Sequence, residues 1–249
     1  MKFLRCIIAL LCWLNTVNVH ADEVSVAVAA NFLAPMKAIA TEFEKDTRHH
    51  LLLSAGSSGK LYVQIQNGAP FQVFLSADSK IPARLEQEGL AVTGSRFTYA
   101  TGALVLWSAD PALVDAKGTV LSKNSFAKLA IADPKLAPYG KAAMEILTAM
   151  ERLDAVRGKF VTGENIGQTY QFVASGNAEL GFVALSQVMK DGRISSGSAW
   201  LIPESLYSPL RQDAVILTTG KHSNAAKSFM NYLKGSKARE IMKSCGYRF

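Results

Sequence analysis

The chain has 249 residues, 49% hydrophobic and 19% charged, with a formal net charge of +7 and three cysteines. It is too apolar for a disordered chain and long enough for a sizeable core in two lobes. Its Lys and Arg residues are scattered and lack interleaved aromatics, which excludes a nucleic-acid surface as the reading of the charge.

Residues 1–21 combine a basic start (Lys2, Arg5), an apolar run from Cys6 to Leu14 and the small-residue site Val19-His20-Ala21. The run is about half of the ~20 residues a membrane span needs, so the pattern is that of a signal peptide, not an anchor. The bulky Leu11 argues against lipid modification of Cys12. Export to the periplasm follows, with residues 22–249 as the mature chain. Loss of Lys2 and Arg5 lowers the net charge to +5, and Cys245 remains as the lone cysteine, so no internal disulfide forms. Cys245 reads as a small buried hydrophobe, with a reactive thiol as the other reading.

Residues 24–28 read as a strand and residues 29–31 as a turn. Phe32, Met36, Ile39, Ala40 and Phe43 then fall on one helical stripe. Pro35 sits in its first turn, and Asn31 is either an N-cap or an amide donor turned toward a ligand. The construction repeats at once. The apolar strand 51–53 enters the turn Ser54-Ala55-Gly56-Ser57-Ser58-Gly59 and continues as a helix from Lys60. Free N–H groups at a helix start, the positive end of its macrodipole and two hydroxyls make this an anion site.

A third strand at 72–76, a cap at Asp78 and a helix over 81–88 ending at Gly89 follow. A second series begins at 103–108, with strands at 129–132, 160–162 and 180–185 and helices at 141–153 and 166–175. The loop 133–140 can bring the Tyr139 phenol or backbone N–H to the strand ends, and Glu164-Asn165-Ile166 opens a helix at which the Ile166 N–H is a donor. A late strand at 214–218 precedes helices at 224–234 and 237–245. This alternation predicts an α/β protein with mostly parallel sheets flanked by helices, and a ligand cleft at the strand carboxyl ends. Asp78 and Asp133 read as caps or loop braces. His49, His50 and His222 lack metal-ligand spacing, so no direct metal ligands are expected. Ser57-Ser58-Gly59-Lys60 matches the Ser-x-x-Lys of serine acyl enzymes, yet Ser-Asp-Asn and Lys-Thr-Gly are missing, so no enzyme is expected.

Together, Val28-Ala29-Ala30-Asn31-Phe32, Gly56-Ser57-Ser58-Gly59-Lys60-Leu61, residues 67–78, Ala130-Ile131-Ala132-Asp133-Pro134, Asn165-Ile166-Gly167-Gln168 and Leu180-Gly181-Phe182-Val183 resemble the periplasmic molybdate-binding proteins of ABC importers. These have the two-lobed type II periplasmic binding protein fold. The resemblance implies a first lobe over 22–101, a second over 102–214 and a return to the first over 215–249, with crossings near 98–104 and 212–217. It places the oxyanion donors at Ala30, Asn31, Ser58, Tyr139 and Ile166, with Ser57, Gly59, Lys60 and Asn165 around them. Lys60 either reaches the bound anion or points to solvent. Asn31 stands where the better-known form has serine, and Ala184 where that form has tyrosine.

The resemblance further implies molybdate or tungstate as ligand, no cofactor, a permease and its ATPase as partners, no nucleic acid, and a monomer. Neutral donors suit a deprotonated dianion, because a protonated oxyanion would leave two buried groups unpaired at ~1–3 kcal/mol each. Sulfate satisfies the same donors and is the alternative ligand. Ferric iron is a further one, although the adjacent tyrosines it usually needs do not occur.

Overall fold

The computed structural model describes residues 22–249, so the expected signal peptide lies outside the described residues. In chain order, β1 (Glu23–Ala29), α1 (Leu33–Thr47), β2 (His50–Gly56), α2 (Ser58–Gln66), β3 (Val73–Leu75), α3 (Lys80–Gln87) and β4 (Phe97–Gly102) come first. Ala103 alone separates β4 from β5 (Leu104–Ser108). There follow α4 (Thr119–Lys123), β6 (Leu129–Ala132), α5 (Pro138–Ala149), α6 (Leu153–Val156), β7 (Phe160–Gly163), α7 (Ile166–Ala174), β8 (Leu180–Ala184) and α8 (Leu185–Val188). A hairpin of β9 (Met189–Lys190) and β10 (Arg193–Ile194) leads to β11 (Ser198–Leu201), β12 (Leu210–Ile216), α9 (Asn224–Tyr232) and α10 (Ser236–Ser244).

Two five-stranded sheets result, ordered β2-β1-β3-β12-β4 and β11-β5-β8-β6-β7. Each is mostly parallel with one reversed strand, β12 in the first and β5 in the second. The reversal has a topological cause. β5 and β12 are the strands on which the chain arrives from the other lobe. Entering at the edge where the parallel strands end, they can only run backward.

Each sheet is covered on both faces. Met36, Ile39 and Phe43 of α1 pack with Phe229 and Met242 on one face of the first sheet, while Leu61, Ile65 and Leu85 cover the other. In the second, Leu104 and Leu106 of β5 join Ile146 and Leu147, and the alternate residues Val105 and Trp107 face Val173. This period-two alternation is why β5 is apolar from Leu104 through Trp107.

The elements differ from the sequence reading in several places, and α4, α6, α8 and the β9–β10 hairpin have no counterpart in it. The return strand begins at Leu210, not at 214 or 215, because Gln212 and Asp213 are buried polar residues that mask the apolar pattern. Helix α5 begins at Pro138, whose fixed φ suits a first helical position, and ends before Glu151, which takes φ +57°. Strands β4 and β11 carry too few apolar residues at alternating positions to read as strands.

Candidate functional site

Four helix starts converge where the two sheets meet. The turn after β1 supplies Ala30 and Asn31, and Ser57 caps α2 with Ser58 as its first residue. From the second lobe, Tyr139 follows Pro138 in the first turn of α5, and Asn165 caps α7 with Ile166 first. Ala30, Asn31, Ser58, Tyr139 and Ile166 line one small cavity, and every residue lining it is uncharged. The N–H groups of a first helical turn have no intrahelical acceptor, so these backbones present donors and positive dipole ends to a common centre.

The side chains sort into donors and braces. Ser58, 1% exposed, accepts the Ala77 N–H at 2.9 Å, which leaves its own proton free to donate. Ser57 accepts the Lys60 N–H, and Asn165 Oδ1 accepts the Gln168 N–H at 3.0 Å. Both are helix caps that hold the first turns in place. Asp78 and Asp133 also serve as braces, accepting the Ile81 and Lys135 N–H groups.

Two expectations need correction. Lys60 neither reaches the cavity nor points to solvent: its Nζ lies 2.9 and 3.1 Å from the Glu164 carboxylate on the opposite lobe. A carboxylate at a helix start offers the lysine a nearer countercharge than the cavity does. Beside it, the Gly59 N–H donates to the Leu136 carbonyl at 2.9 Å, again across the lobes, so that donor is also engaged. The pair is about half exposed. Lys60→Met is therefore expected to speed ligand release only a few-fold, through a loss of about 1 kcal/mol or less that fades as salt is raised. Stopped-flow dissociation at low and high ionic strength measures this.

The second correction concerns Asn31, read either as an N-cap or as an amide donor to a ligand: it caps no helix among the described residues. Its Nδ2 turns to Gln212 Oε1 and the Tyr247 hydroxyl, both at 2.9 Å, and its Oδ1 is buried with no partner among the described residues. The Asn31 carbonyl accepts from Ser186 and Tyr247. Sequence reasoning missed Gln212, Tyr247, Tyr99 and Ser186, which form a buried polar network with Asn31 and Tyr139. No local pattern marks them, since they lie up to 216 positions from Asn31 along the chain.

Burial pushes the Tyr139 phenol well above its ordinary value, with Tyr247 beside it adding to the rise. Burial raises Tyr99 and Tyr247 as well. All three hydroxyls keep their protons through the ordinary tyrosine range. Anion affinity is thus expected to stay level from about pH 7 to 10, and a titration calorimetry series across that range checks it.

A profile of the family described as bacterial extracellular solute-binding protein matches residues 24–248. The chain is 57% identical over 243 residues to the molybdate-binding protein ModA of Azotobacter vinelandii, covering 98% of this chain and 96% of that one. It is 51% identical to the Rhodobacter capsulatus molybdate-binding protein ModA, over 91% of this chain and 88% of that one. The solved structure of the Azotobacter vinelandii periplasmic molybdate-binding protein superposes with a TM-score of 0.88 at 44% identity, over 91% of this chain and 99% of that one. The sulfate-binding protein SubI of Mycobacterium tuberculosis, covering 91% of this chain and 86% of that one, reaches 0.70 at 14% identity, a likeness of fold alone.

Proposed function

Because the chain belongs to the bacterial extracellular solute-binding protein family, we propose that it captures molybdate between its lobes in the periplasm and delivers it to an ABC importer. The observation that carries this is the cavity at which four helix starts meet, lined by uncharged residues alone. Its nearness to two molybdate-binding relatives at 57% and 51% identity supports the choice of ligand.

In this reading, backbone N–H groups of Ala30, Asn31, Ser58, Tyr139 and Ile166 and the Ser58 hydroxyl hold the oxyanion. Ser57, Gly59 and Asn165 set the loops, and Lys60 ties the lobes together. Lobe 1 supplies three of the five residues and lobe 2 the other two, so full coordination requires closure. Tungstate has the same charge and shape and is bound likewise. The protein acts as a monomer that docks on a permease served by an ATPase, after removal of residues 1–21.

Thermal unfolding of the mature, ligand-stripped protein with molybdate, tungstate, sulfate, phosphate or ferric citrate tests the reading. A ligand at 100 times its Kd stabilises by about 2.7 kcal/mol, roughly 5–10 °C for a chain of this size. Shifts with molybdate and tungstate alone are expected. An equal shift with sulfate would keep the mechanism and change the ligand, and no shift with any oxyanion would overturn the reading.

A further inference from the structure

Asn31 lines the cavity, is 2% exposed, and has an Oδ1 without a donor among the described residues. Its Nδ2 faces three acceptors, Gln212 Oε1 at 2.9 Å, the Tyr247 hydroxyl at 2.9 Å and the Tyr139 hydroxyl at 3.4 Å. An amide nitrogen has two protons, so one side of the group has surplus acceptors and the other has no donor. Beside a dianion a bare carbonyl oxygen repels. It is satisfied by a group that brings its own proton, a protonated oxyanion or a water.

A half-turn of the Asn31 amide exchanges the two atoms and offers the anion an N–H₂. The neighbours must reverse with it, and their hydrogen bonds allow this. Gln212 now accepts at Oε1 from the Tyr99 hydroxyl at 2.8 Å and donates through Nε2 to the Tyr139 hydroxyl at 3.0 Å. Turned over, its Nε2 donates to Asn31 Oδ1 and to the Tyr99 oxygen, while Oε1 accepts the Tyr139 proton. Tyr99 has a second acceptor already in place, the Ser76 carbonyl at 3.0 Å. Tyr247 moves its proton from the Asn31 carbonyl to Asn31 Oδ1, and Ser186 keeps that carbonyl at 2.8 Å. Every polar group then has a partner, and only two amide planes and some hydroxyl protons have moved.

We propose that Gln212 is a specificity-determining residue: with Asn31 it forms a reversible amide pair that offers N–H₂ to a fully deprotonated oxyanion when turned over and Oδ1 to a protonated one as it stands. The proposal rests on reading the cavity as an oxyanion site. The backbone is built around this pair. Gln212 is fully buried, next to an irregularity in the pairing of β12 with β4 that re-aims its side chain. Gly102 lies across the same two strands, and a Cβ there would run into both the Tyr139 hydroxyl and the Gln212 amide.

The test is a double-mutant cycle of Gln212→Glu and Asn31→Ala, with molybdate and hydrogen phosphate affinities measured at about pH 8. An ionised glutamate only accepts, so it holds Asn31 Nδ2 and fixes Oδ1 toward the cavity. The loss of molybdate affinity is expected to be about tenfold greater with Asn31 present than with alanine there, as for side chains coupled in one network. The molybdate-to-phosphate ratio should fall with it. Equal losses in both backgrounds and an unmoved ratio would reduce Gln212 to a charge effect and overturn the pair. A second measurement needs no variant: in wild-type protein carrying ¹⁵N asparagine and glutamine, saturating molybdate should shift the side-chain N–H₂ signals of both Asn31 and Gln212. Unmoved Gln212 signals would likewise overturn it. Wild-type protein that binds no oxyanion would overturn the site itself, a failure distinct from additive losses in a protein that binds molybdate.

Discussion

Ser58→Ala is expected to weaken molybdate binding by about 10- to 150-fold and to destabilise the ligand-free protein at the same time. The binding loss is that of one hydrogen bond to a charged partner, ~1.5–3 kcal/mol. The Ser58 proton is free for that bond because its oxygen already accepts the Ala77 N–H at 2.9 Å. Alanine removes the acceptor together with the donor. The Ala77 N–H, on a residue 3% exposed, is then left without its partner, at ~1–3 kcal/mol of folding stability. Titration calorimetry reads the first effect and urea unfolding the second. Lowered stability with unchanged affinity would confine Ser58 to bracing the loop after β3, and the oxyanion would have to rely on backbone donors there.

Much of this site was legible because each of its parts is a local event. A strand that runs through Gly or Ser straight into a helix exposes first-turn N–H groups wherever it occurs, and residues 24–36 and 51–65 show that pattern without any knowledge of what packs against them. Tyr139 and Ile166 were readable for the same reason, as residues that open helices after strands. Long-range pairing was not legible. Lys60 and Glu164 are 104 positions apart, and only the closed arrangement of the lobes brings their charges to 2.9 Å. Gln212 lies just before the apolar run at 214–218 and reads as a polar loop residue, yet it is fully buried because Asn31, Tyr99 and Tyr139 meet its amide from three other elements. The reversed strands β5 and β12 escaped for a related reason: strand direction follows from where the chain crosses between sheets, which an apolar pattern does not encode.

Gly59→Ala is expected to move affinity and stability in opposite directions. Gly59 is the second residue of α2, a helical position where alanine stabilises a protein by ~0.4–1 kcal/mol, chiefly by restricting the unfolded chain. In the closed arrangement, however, a Cβ on residue 59 would lie 2.9 Å from the Leu136 carbonyl oxygen and 3.2 Å from its Cα. Both are backbone atoms of the other lobe, with no side-chain end that can swing aside, and the Gly59 N–H is bonded to that same carbonyl. Relief comes from holding the lobes slightly apart, which draws the Tyr139 and Ile166 N–H groups away from an anion held by Ala30, Asn31 and Ser58. Overpacking of this kind costs ~1–3 kcal/mol, so molybdate affinity should fall about 5- to 150-fold, mainly through faster release. With the lobes apart this contact is relieved, so the ligand-free variant is expected to unfold at a slightly higher temperature than wild type. Dissociation rates by stopped flow and unfolding of the ligand-free protein by calorimetry give the two signs independently. A variant that keeps wild-type affinity would show that closure does not bring residue 59 against Leu136, and one that loses both affinity and stability would point to a damaged helix instead of a blocked cleft.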